Sequence, residues 1–321
     1  MKKFIQQYGA LIALIVLIIF NTIWQGHDFY AAENIRNILA QNSAKGMIAI
    51  GMTLVIIAGG IDLSVGSMVG LLSVLILLGL NKWNSMPAAY GIAIFGGILI
   101  GFSNGLLVSL GRIAPFVATL AGLGAFRSLA MAITNAGQVT TTNPNFENIA
   151  NGGFPLPGLH TVSGDPLVIY WPILVFFGLG AIAAFILNRS VFGRRLIATG
   201  ANEQASEYSG IKTNSVKLAS YSLLGLMTGI AALCLTARYN SASSATQGLY
   251  YELDAIAAVV IGGTSLSGGR GRIGTTVIGV LILGLVDNML TTKGIDSNWQ
   301  GCVKGVIILL AVLLQRNSSR K

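Results

Sequence analysis

The sequence contains few charged residues, which make up 10% of its 321 residues, whereas about a quarter is usual in a soluble domain. Apolar residues make up 53%. These proportions exclude an ordinary soluble domain and predict a polytopic membrane protein. The net charge of +9 does not indicate a nucleic-acid partner, because the basic residues are scattered along the chain.

Residue patterns for catalysis or metal binding are also lacking. The two cysteines, Cys234 and Cys302, lie in apolar runs without metal-site spacing, and the two histidines stand alone in polar segments. The nucleotide-binding sequence GxxxxGK[ST] is absent, and no arrangement of a nucleophile with a base is evident. We therefore expect no enzyme activity, no metal and no cofactor in this chain.

Long apolar runs, in contrast, are abundant. Because a helix needs about 20 mostly apolar residues to cross a bilayer, these runs predict an all-α protein with about ten transmembrane helices in a single domain, residues 1–321. The predicted spans are 8–24, 42–58, 65–80, 87–110, 114–135, 166–188, 215–237, 252–265, 273–290 and 299–315. The first follows two lysines, as in a signal peptide, but no small-residue cleavage site follows it, so we interpret it as a retained span.

The distribution of lysine and arginine sets the orientation of these spans. With the N-terminus inside, thirteen of the 20 basic residues fall in inner segments or at their edge, four fall in outer segments and three within spans. Loops on the cytoplasmic side carry the excess of positive charge in membrane proteins. Both termini are therefore predicted to be cytoplasmic.

Two long loops separate the spans. Residues 136–165 form a predicted outer, periplasmic loop without lysine or arginine, and its prolines, glycines and asparagines predict an irregular cap. Residues 189–214 form the most charged inner loop. Its mixture of charge, small residues and a helix-like centre is compatible with a docking surface for a cytosolic partner and equally with a solvated loop.

The stretch AGGIDLSVGS places an acid between two apolar runs. Its predicted membrane-turn motif consists of Gly59, Gly60, Asp62 and Ser64. The glycines allow a tight chain reversal, after which Asp62 or Ser64 can cap the first amides of the next helix. The alternative is a direct role of Asp62 in a transport path, because ionisable groups within membranes are costly and usually functional.

A second stretch resembles this turn. IGGTSLSGG, residues 261–269, aligns without gaps with AGGIDLSVG, residues 58–66, and shares its two leading glycines, the Leu-Ser pair and the final glycine. Ser265 stands in place of the acid and could cap a helix equally well. The alignment predicts that both turns lie on the same side of the membrane.

Three longer stretches carry a resemblance to a known family. GMTLVIIAGGIDLSVGSMVG, FGRRLIATGANEQASEYSGI and YELDAIAAVVIGGTSLSGGRGRIGTTVIGVLILG resemble the ribose-type membrane permeases of bacterial ABC importers for monosaccharides. The similarity is collinear from the second span to the C-terminus. It implies the type II importer fold and a subunit of the bacterial inner membrane that performs no catalysis itself.

The resemblance also implies partners. Two permeases, identical or paired with a homologue, form the channel, and two cytosolic ABC ATPase subunits bind ATP and Mg beneath it. A periplasmic sugar-binding protein delivers the sugar from outside. Which monosaccharide is carried does not follow from the sequence.

In such a permease, the inner loop couples the membrane helices to the ATPase. The matching residues here are Gly200, Asn202, Glu203, Ala205, Ser206, Ser209 and Gly210. Ala205 and Ser206 are small enough to enter a groove on the ATPase, while Glu203, Arg194 and Arg195 could pair at its rim.

Polar residues within spans are candidates for the translocation path. Asn104 on the fourth span, with Arg127 and Asn135 on the fifth, could face it, although a hydrogen bond inside the bundle explains each equally well. Glu252 and Asp254 are expected to cap a span or to contact the binding protein. The main alternative function is an ion-coupled secondary transporter that uses Asp62 and Arg127.

Overall fold

The structure is a computed structural model that describes residues 2–161, 164, 166–296, 299–303, 305–307 and 309. Its helices are α1 (Lys2–Gln25), α2 (His27–Tyr30), α3 (Ala32–Ile57), α4 (Val65–Trp83), α5 (Met86–Gly91), α6 (Gly97–Ser109), α7 (Pro115–Thr134), α8 (Asn148–Asn151), α9 (Trp171–Arg189), α10 (Val191–Ala201), α11 (Glu203–Tyr208), α12 (Thr213–Tyr239), α13 (Tyr251–Ile261) and α14 (Ile273–Thr292). A π-helical turn, Ile92–Gly96, joins α5 to α6. The strands are β1 (Gln138–Thr140), β2 (Gly153–His160), β3 (Pro166–Tyr170) and β4 (Ser241–Ser243).

Seven helices in the described part of the chain are long and apolar enough to cross a membrane. They are α3, α4, the continuous helix Met86–Ser109, α7, α9, α12 and α14. The protein is therefore a polytopic membrane protein, as predicted, but the count of about ten spans is not confirmed. Three predicted spans account for the difference: 8–24, 252–265 and 299–315.

Each of these three has its own reason. The run 8–24 forms most of α1, a helix of 24 residues whose described apolar stretch, Gly9–Gln25, is not counted among the seven. The run 252–265 forms α13, whose 11 residues extend only about 16 Å at 1.5 Å per residue, roughly half the hydrocarbon core. The run 299–315 extends beyond the described residues.

The centre of the bundle is formed by α3, α4 and α12, the three most buried of these helices. In the most apolar stretch of α3, 89% of the residues are buried, against 22% in α7, which lies at the periphery. Glycines let α6 and α12 approach backbone to backbone: a Cβ atom at Gly225 would overlap the carbonyl oxygen of Gly97, and one at Gly101 would overlap that of Tyr221. Close contact between small residues is the usual way in which membrane helices associate.

Two small antiparallel sheets lie at one end of the bundle and depart from the all-α prediction. Val139 of β1 pairs with Ala242 of β4, and Phe154 of β2 pairs with Ile169 of β3. The loop 136–165, predicted to be irregular, therefore contains two strands and the short helix α8. The run Leu-Val-Ile in β3 favours an extended partner, and the prolines of β2 are tolerated because a two-stranded ribbon has free edges.

Candidate functional site

We call the end of the bundle that carries α10 and α11 the inner end, and the end with the two sheets the outer end, following the predicted orientation. Three segments that lie outside the spanning helices meet at the inner end: the turn 58–64, the short helices α10 and α11, and the turn 262–272. Most of the predicted site residues lie in the first two.

The turn after α3 closes around a buried acid. Asp62 is completely buried, and its Oδ1 accepts hydrogen bonds from the backbone amide of Ser64 at 2.8 Å and from its hydroxyl at 2.6 Å. Its Oδ2 accepts a third bond, of 3.1 Å, from Nδ2 of Asn104 on α6. The same Nδ2 donates to Oγ of Ser64 at 2.8 Å. The structure thus joins two predictions, the turn motif and Asn104, in one network.

This geometry corrects the predicted capping. Ser64 is the N-cap residue of α4, but its side chain makes no capping hydrogen bond. Asp62 bonds to the amide of Ser64 itself and therefore forms a local turn between residues two apart, without reaching the first amides of α4. Its carboxyl group still lies beside the positive end of the α4 dipole, which favours the ionised form there.

A tyrosine that sequence patterns did not single out completes the turn. Tyr221 of α12 is 1% exposed, and its hydroxyl donates to the carbonyl oxygen of Ile61 at 3.0 Å. Gly59 has φ of +84°, and a Cβ atom at Gly60 would lie 2.7 Å from the Tyr221 hydroxyl. Both glycines are therefore required, the first by its backbone conformation and the second by this contact. No local signal distinguishes Tyr221 from other apolar-face residues.

The two similar turns lie side by side at the inner end, whereas the alignment predicted only that they share one side of the membrane. The amide of Gly269 donates to the carbonyl oxygen of Ile57 at 2.9 Å. Gly200, near the end of α10, packs between them so closely that a Cβ atom would overlap the carbonyl oxygen of Ile57 and lie 2.6 Å from the amide nitrogen of Gly269. The inner loop therefore contacts both turns directly through its glycine backbone.

Both ends of α11 are fixed by hydrogen bonds. At its start, Oδ1 of Asn202 accepts the amide of Ala205 at 2.9 Å. At its end, Gly210 has φ of +80°, its amide bonds to the carbonyl of Glu207 at 2.9 Å, and the amide of Ile211 bonds to that of Ser206 at 3.0 Å. These two bonds form a Schellman motif. The segment 200–210 therefore contains a short helix with defined boundaries.

The predicted coupling residues divide by exposure. Ala205, Asn202, Ser209 and Gly210 are exposed, whereas Ser206 is 5% exposed and faces the bundle. Ser209 donates its hydroxyl to the carbonyl oxygen of Ala205 at 2.9 Å. The expectation that Ser206 enters a partner's groove is therefore wrong, because its hydroxyl points back to the carbonyl oxygen of Asn202 at 2.8 Å.

Charged side chains around α11 also differ from expectation. Glu203 forms an ion pair with Lys217 of α12 inside the chain, so its carboxylate is already engaged. Arg194 and Arg195 remain exposed on α10. Tyr208, 92% exposed, is the most prominent apolar side chain on α11 and was not predicted.

Arg127 makes hydrogen bonds inside the bundle. Its Nη1 donates to the carbonyl oxygens of Ser244 and Gln247, both at 2.9 Å, and its Nη2 lies 3.4 Å from that of Gly66 on α4. The sequence left two alternatives for Arg127, a place on the translocation path and a hydrogen bond inside the bundle, and the structure shows hydrogen bonds inside the bundle. Arg127 fastens the segment 244–250, which leads into α13, against the first turn of α4.

Asn135 lies apart from the other candidates. It ends α7 in the left-handed conformation, with φ of 51°, and is exposed at the outer end. Asparagine tolerates this conformation better than most residues, which gives a structural reason for its presence. Asn104, Arg127 and Asn135 therefore do not form one cluster.

A charged group within the bundle was missed. Lys45 of α3 pairs with Asp254 of α13 at 2.8 Å and with Asp287 of α14 at 3.2 Å. Asp254 lies in the first turn of α13, where the prediction put it, and is also an ion-pair partner of Lys45. Three residues distant in sequence form the group, so spacing gives no signal for it.

Comparison with known proteins identifies the family. Residues 34–312 match the family described as "Branched-chain amino acid transport system / permease component". The chain is 42% identical to the ribose import permease protein RbsC of Bacillus subtilis, over 98% of this chain and 94% of that protein. This chain belongs to that permease family.

Further relatives of the permease support the same conclusion. It is 40% identical to RbsC of Escherichia coli K12, over 98% of its own length and 94% of that protein's. It is 32% identical to the xylose transport system permease protein XylH of the same strain, over 99% and 93% respectively. No solved structure matches the permease.

These relatives also decide between the alternatives for transport. They are permease components and not enzymes, which agrees with the lack of catalytic residues. The ion-coupled alternative has no support among them, and its two candidates, Asp62 and Arg127, are held by the internal hydrogen bonds described above.

Proposed function

We propose that this permease is the membrane-spanning subunit of a binding-protein-dependent ABC importer that carries a monosaccharide, a ribose-like pentose or a related sugar. The observation that carries the proposal is the end-to-end similarity to RbsC and XylH, whose names specify ribose and xylose. A likeness that covers nearly the whole chain leaves no large segment available for a different function.

The proposed assembly contains parts that this chain lacks. A second permease, identical or homologous, completes the channel. Cytosolic ABC ATPase subunits bind ATP and Mg, and a periplasmic binding protein supplies the sugar. The membrane is the bacterial inner membrane, with both termini cytoplasmic. The absence of a GxxxxGK[ST] sequence agrees with hydrolysis in a separate subunit.

The segment 200–210 is the proposed coupling surface. ATP-driven closure of the ATPase pair must be transmitted to the membrane helices through a rigid contact. Such a contact shifts the equilibrium between the inward-facing and outward-facing arrangements of these helices. Support for α11 in this role comes from its capped ends and from the exposed Ala205 and Tyr208. The surface consists of the exposed residues of the segment, while Glu203 holds α11 to α12 through its ion pair with Lys217 and Ser206 is buried on the side facing the bundle.

A route from this surface into the bundle is also proposed. Gly200 contacts the backbone of Ile57, immediately before the turn 58–64, and Asp62 in that turn bonds to Asn104 on α6. A displacement of α10 and α11 therefore moves the start of α4 and the facing part of α6. In this arrangement Asp62 and Asn104 transmit movement, and no contact with the sugar is required of them.

The proposal is tested by uptake in proteoliposomes that contain the permease, its ATPase and its binding protein. We expect uptake of radiolabelled pentose that requires ATP and is insensitive to proton and sodium uncouplers. Uptake that persists without ATP, or that is lost when the proton or sodium gradient is dissipated, would refute the assignment.

Ala205→Trp tests the coupling surface. Because Ala205 is exposed, the larger side chain is accommodated without disturbing the bundle, and we expect uptake and sugar-stimulated ATP hydrolysis to be lost while membrane insertion is retained. Ala181→Trp on the exposed face of α9 is the matched control and should transport normally. Unchanged uptake by Ala205→Trp would show that the segment is not the coupling surface.

A further inference from the structure

A polar cleft opens at the outer end of the bundle, between the end of α4 and the segment that follows β1. Its volume is about 450 Å³, within the range of about 300–1,000 Å³ usual for small-molecule sites. The lining consists of Leu80, Asn81, Asn84 and residues 140–144, a Thr-Thr-Thr-Asn-Pro run. None of these side chains is charged, and most of them carry an amide or a hydroxyl group.

Internal hydrogen bonds fix the walls of this cleft but leave some of its polar atoms unused. Asn81 donates to the carbonyl oxygen of Thr140 at 2.8 Å, and Asn143 donates to Oδ1 of Asn84 at 3.0 Å. Within the described part of the chain, Oδ1 of Asn81, Nδ2 of Asn84 and the hydroxyls of Thr140 and Thr142 make no hydrogen bond. The cleft therefore offers both donors and acceptors.

The backbone holds the central amide in place. Asn84 ends α4 in the left-handed conformation, with φ of 45° and ψ of 43°. Asparagine is one of the few residues with a side chain that adopt this conformation readily. The ammonium group of the neighbouring Lys82 does not line the cleft. Its Nζ lies 5.6 Å from the ring centroid of Trp83.

We propose that this cleft is a binding site for a neutral polyhydroxylated small molecule; the inference rests on the proposed sugar-import function. A carboxamide presents a donor beside an acceptor, and a threonine hydroxyl acts as either, which matches the adjacent hydroxyls of a sugar ring. A charged solute would lose hydration without meeting a counter-charge. Because the cleft is open, the bound sugar exchanges rapidly, as a receiving site on a transport route requires.

Saturation-transfer NMR on the full-length permease in lipid nanodiscs, without the binding protein, tests this site. We expect signals from D-ribose, D-xylose or myo-inositol, and none from ribose 5-phosphate or leucine. Asn84→Gly keeps the left-handed backbone but removes the amide, and Thr142→Val removes one hydroxyl at nearly constant shape. Thr142→Val is expected to weaken sugar binding about fivefold, as for the loss of one hydrogen bond, and Asn84→Gly at least as much, because it also removes the bond that holds Asn143.

The matched control is Asn240→Gly. Asn240 ends α12 in the same left-handed conformation, with φ of 48°, but its side chain donates to Glu147 and does not line the cleft. This variant should bind sugar like the parent protein. No signal from any of the three neutral compounds, or equal binding in both cleft variants and the parent, would overturn the site.

ATP-driven uptake measured with the same lipid and the complete transporter separates this inference from the proposed function. If ATP-driven sugar uptake is observed but the permease alone gives no saturation-transfer signal, only the proposal that the cleft binds sugar is refuted. Absence of ATP-dependent uptake of every neutral sugar refutes the importer assignment itself. If the cleft variants weaken only the association with the binding protein, the cleft is a protein-docking surface and the sugar-site proposal is wrong.

Discussion

Replacing Asp62 with alanine is expected to destabilise the bundle strongly. The carboxylate accepts three hydrogen bonds of 2.6 to 3.1 Å in a completely buried position. Without it, the Ser64 amide and hydroxyl lose their acceptor, while Asn104 retains its bond to Ser64. Leaving a buried donor unsatisfied costs about 1–3 kcal/mol, so the two donors together should lower the free energy of unfolding by roughly 2–6 kcal/mol.

Asp62→Asn provides a graded comparison. The amide oxygen can still accept both bonds from Ser64. Only the contact with Asn104 is lost, because the new amide NH2 at position 62 faces the NH2 of Asn104 and both groups are donors. We expect a loss of roughly 1–2 kcal/mol, the cost of one poorly satisfied hydrogen bond. The control is Glu147→Ala at the exposed outer end, where a change within about 0.5 kcal/mol is usual.

The assay is equilibrium unfolding in mixed micelles with increasing sodium dodecyl sulfate, followed by far-ultraviolet circular dichroism. Asn104→Ala, alone and combined with Asp62→Ala, completes a double-mutant cycle, in which directly bonded groups show coupling of about 0.5–3 kcal/mol. If Asp62→Ala unfolds like Glu147→Ala and the coupling is zero, the reasoning about this network is wrong.

Two further predictions concern packing and the segment before α13. Gly225→Ala should lower the free energy of unfolding by about 1–3 kcal/mol, because its methyl group overlaps the Gly97 carbonyl. Gly124→Ala, whose methyl group meets open space, should be neutral or slightly stabilising. Equal effects of the two substitutions in detergent unfolding would contradict this packing. Arg127→Met should increase amide hydrogen exchange in residues 244–250, measured by mass spectrometry, because two carbonyls lose their donor. Unchanged exchange there would show that the segment is held by other contacts.

Local features of the structure followed from sequence patterns. Low charge and long apolar runs predicted the membrane class, and seven of the predicted spans correspond to helices of spanning length. The inner loop 189–214 was expected to have a helix-like centre, and α10 and α11 lie there. The similar glycine turns were expected on one side and are joined by the bond from Gly269 to Ile57.

Contacts between distant segments could not be predicted in this way. Tyr221 reaches Ile61 across 160 residues, and Arg127 reaches the carbonyls of Ser244 and Gln247 more than a hundred residues away. Hydropathy also does not reveal how long the helix within an apolar run is, so the run 252–265 was predicted to be a full span although α13 has only 11 residues. Long-range partners depend on the packing of helices, which periodicity along one helix does not specify.

The caps of α11 have a thermodynamic consequence. Asn202 and Gly210 already fix the backbone of this helix in the isolated chain, so little conformational entropy remains to be lost when another protein binds there. A surface of a few residues can then support a useful affinity. A change that loosened either cap would weaken association through the disorder of the unbound helix, even though every contacting side chain remained in place.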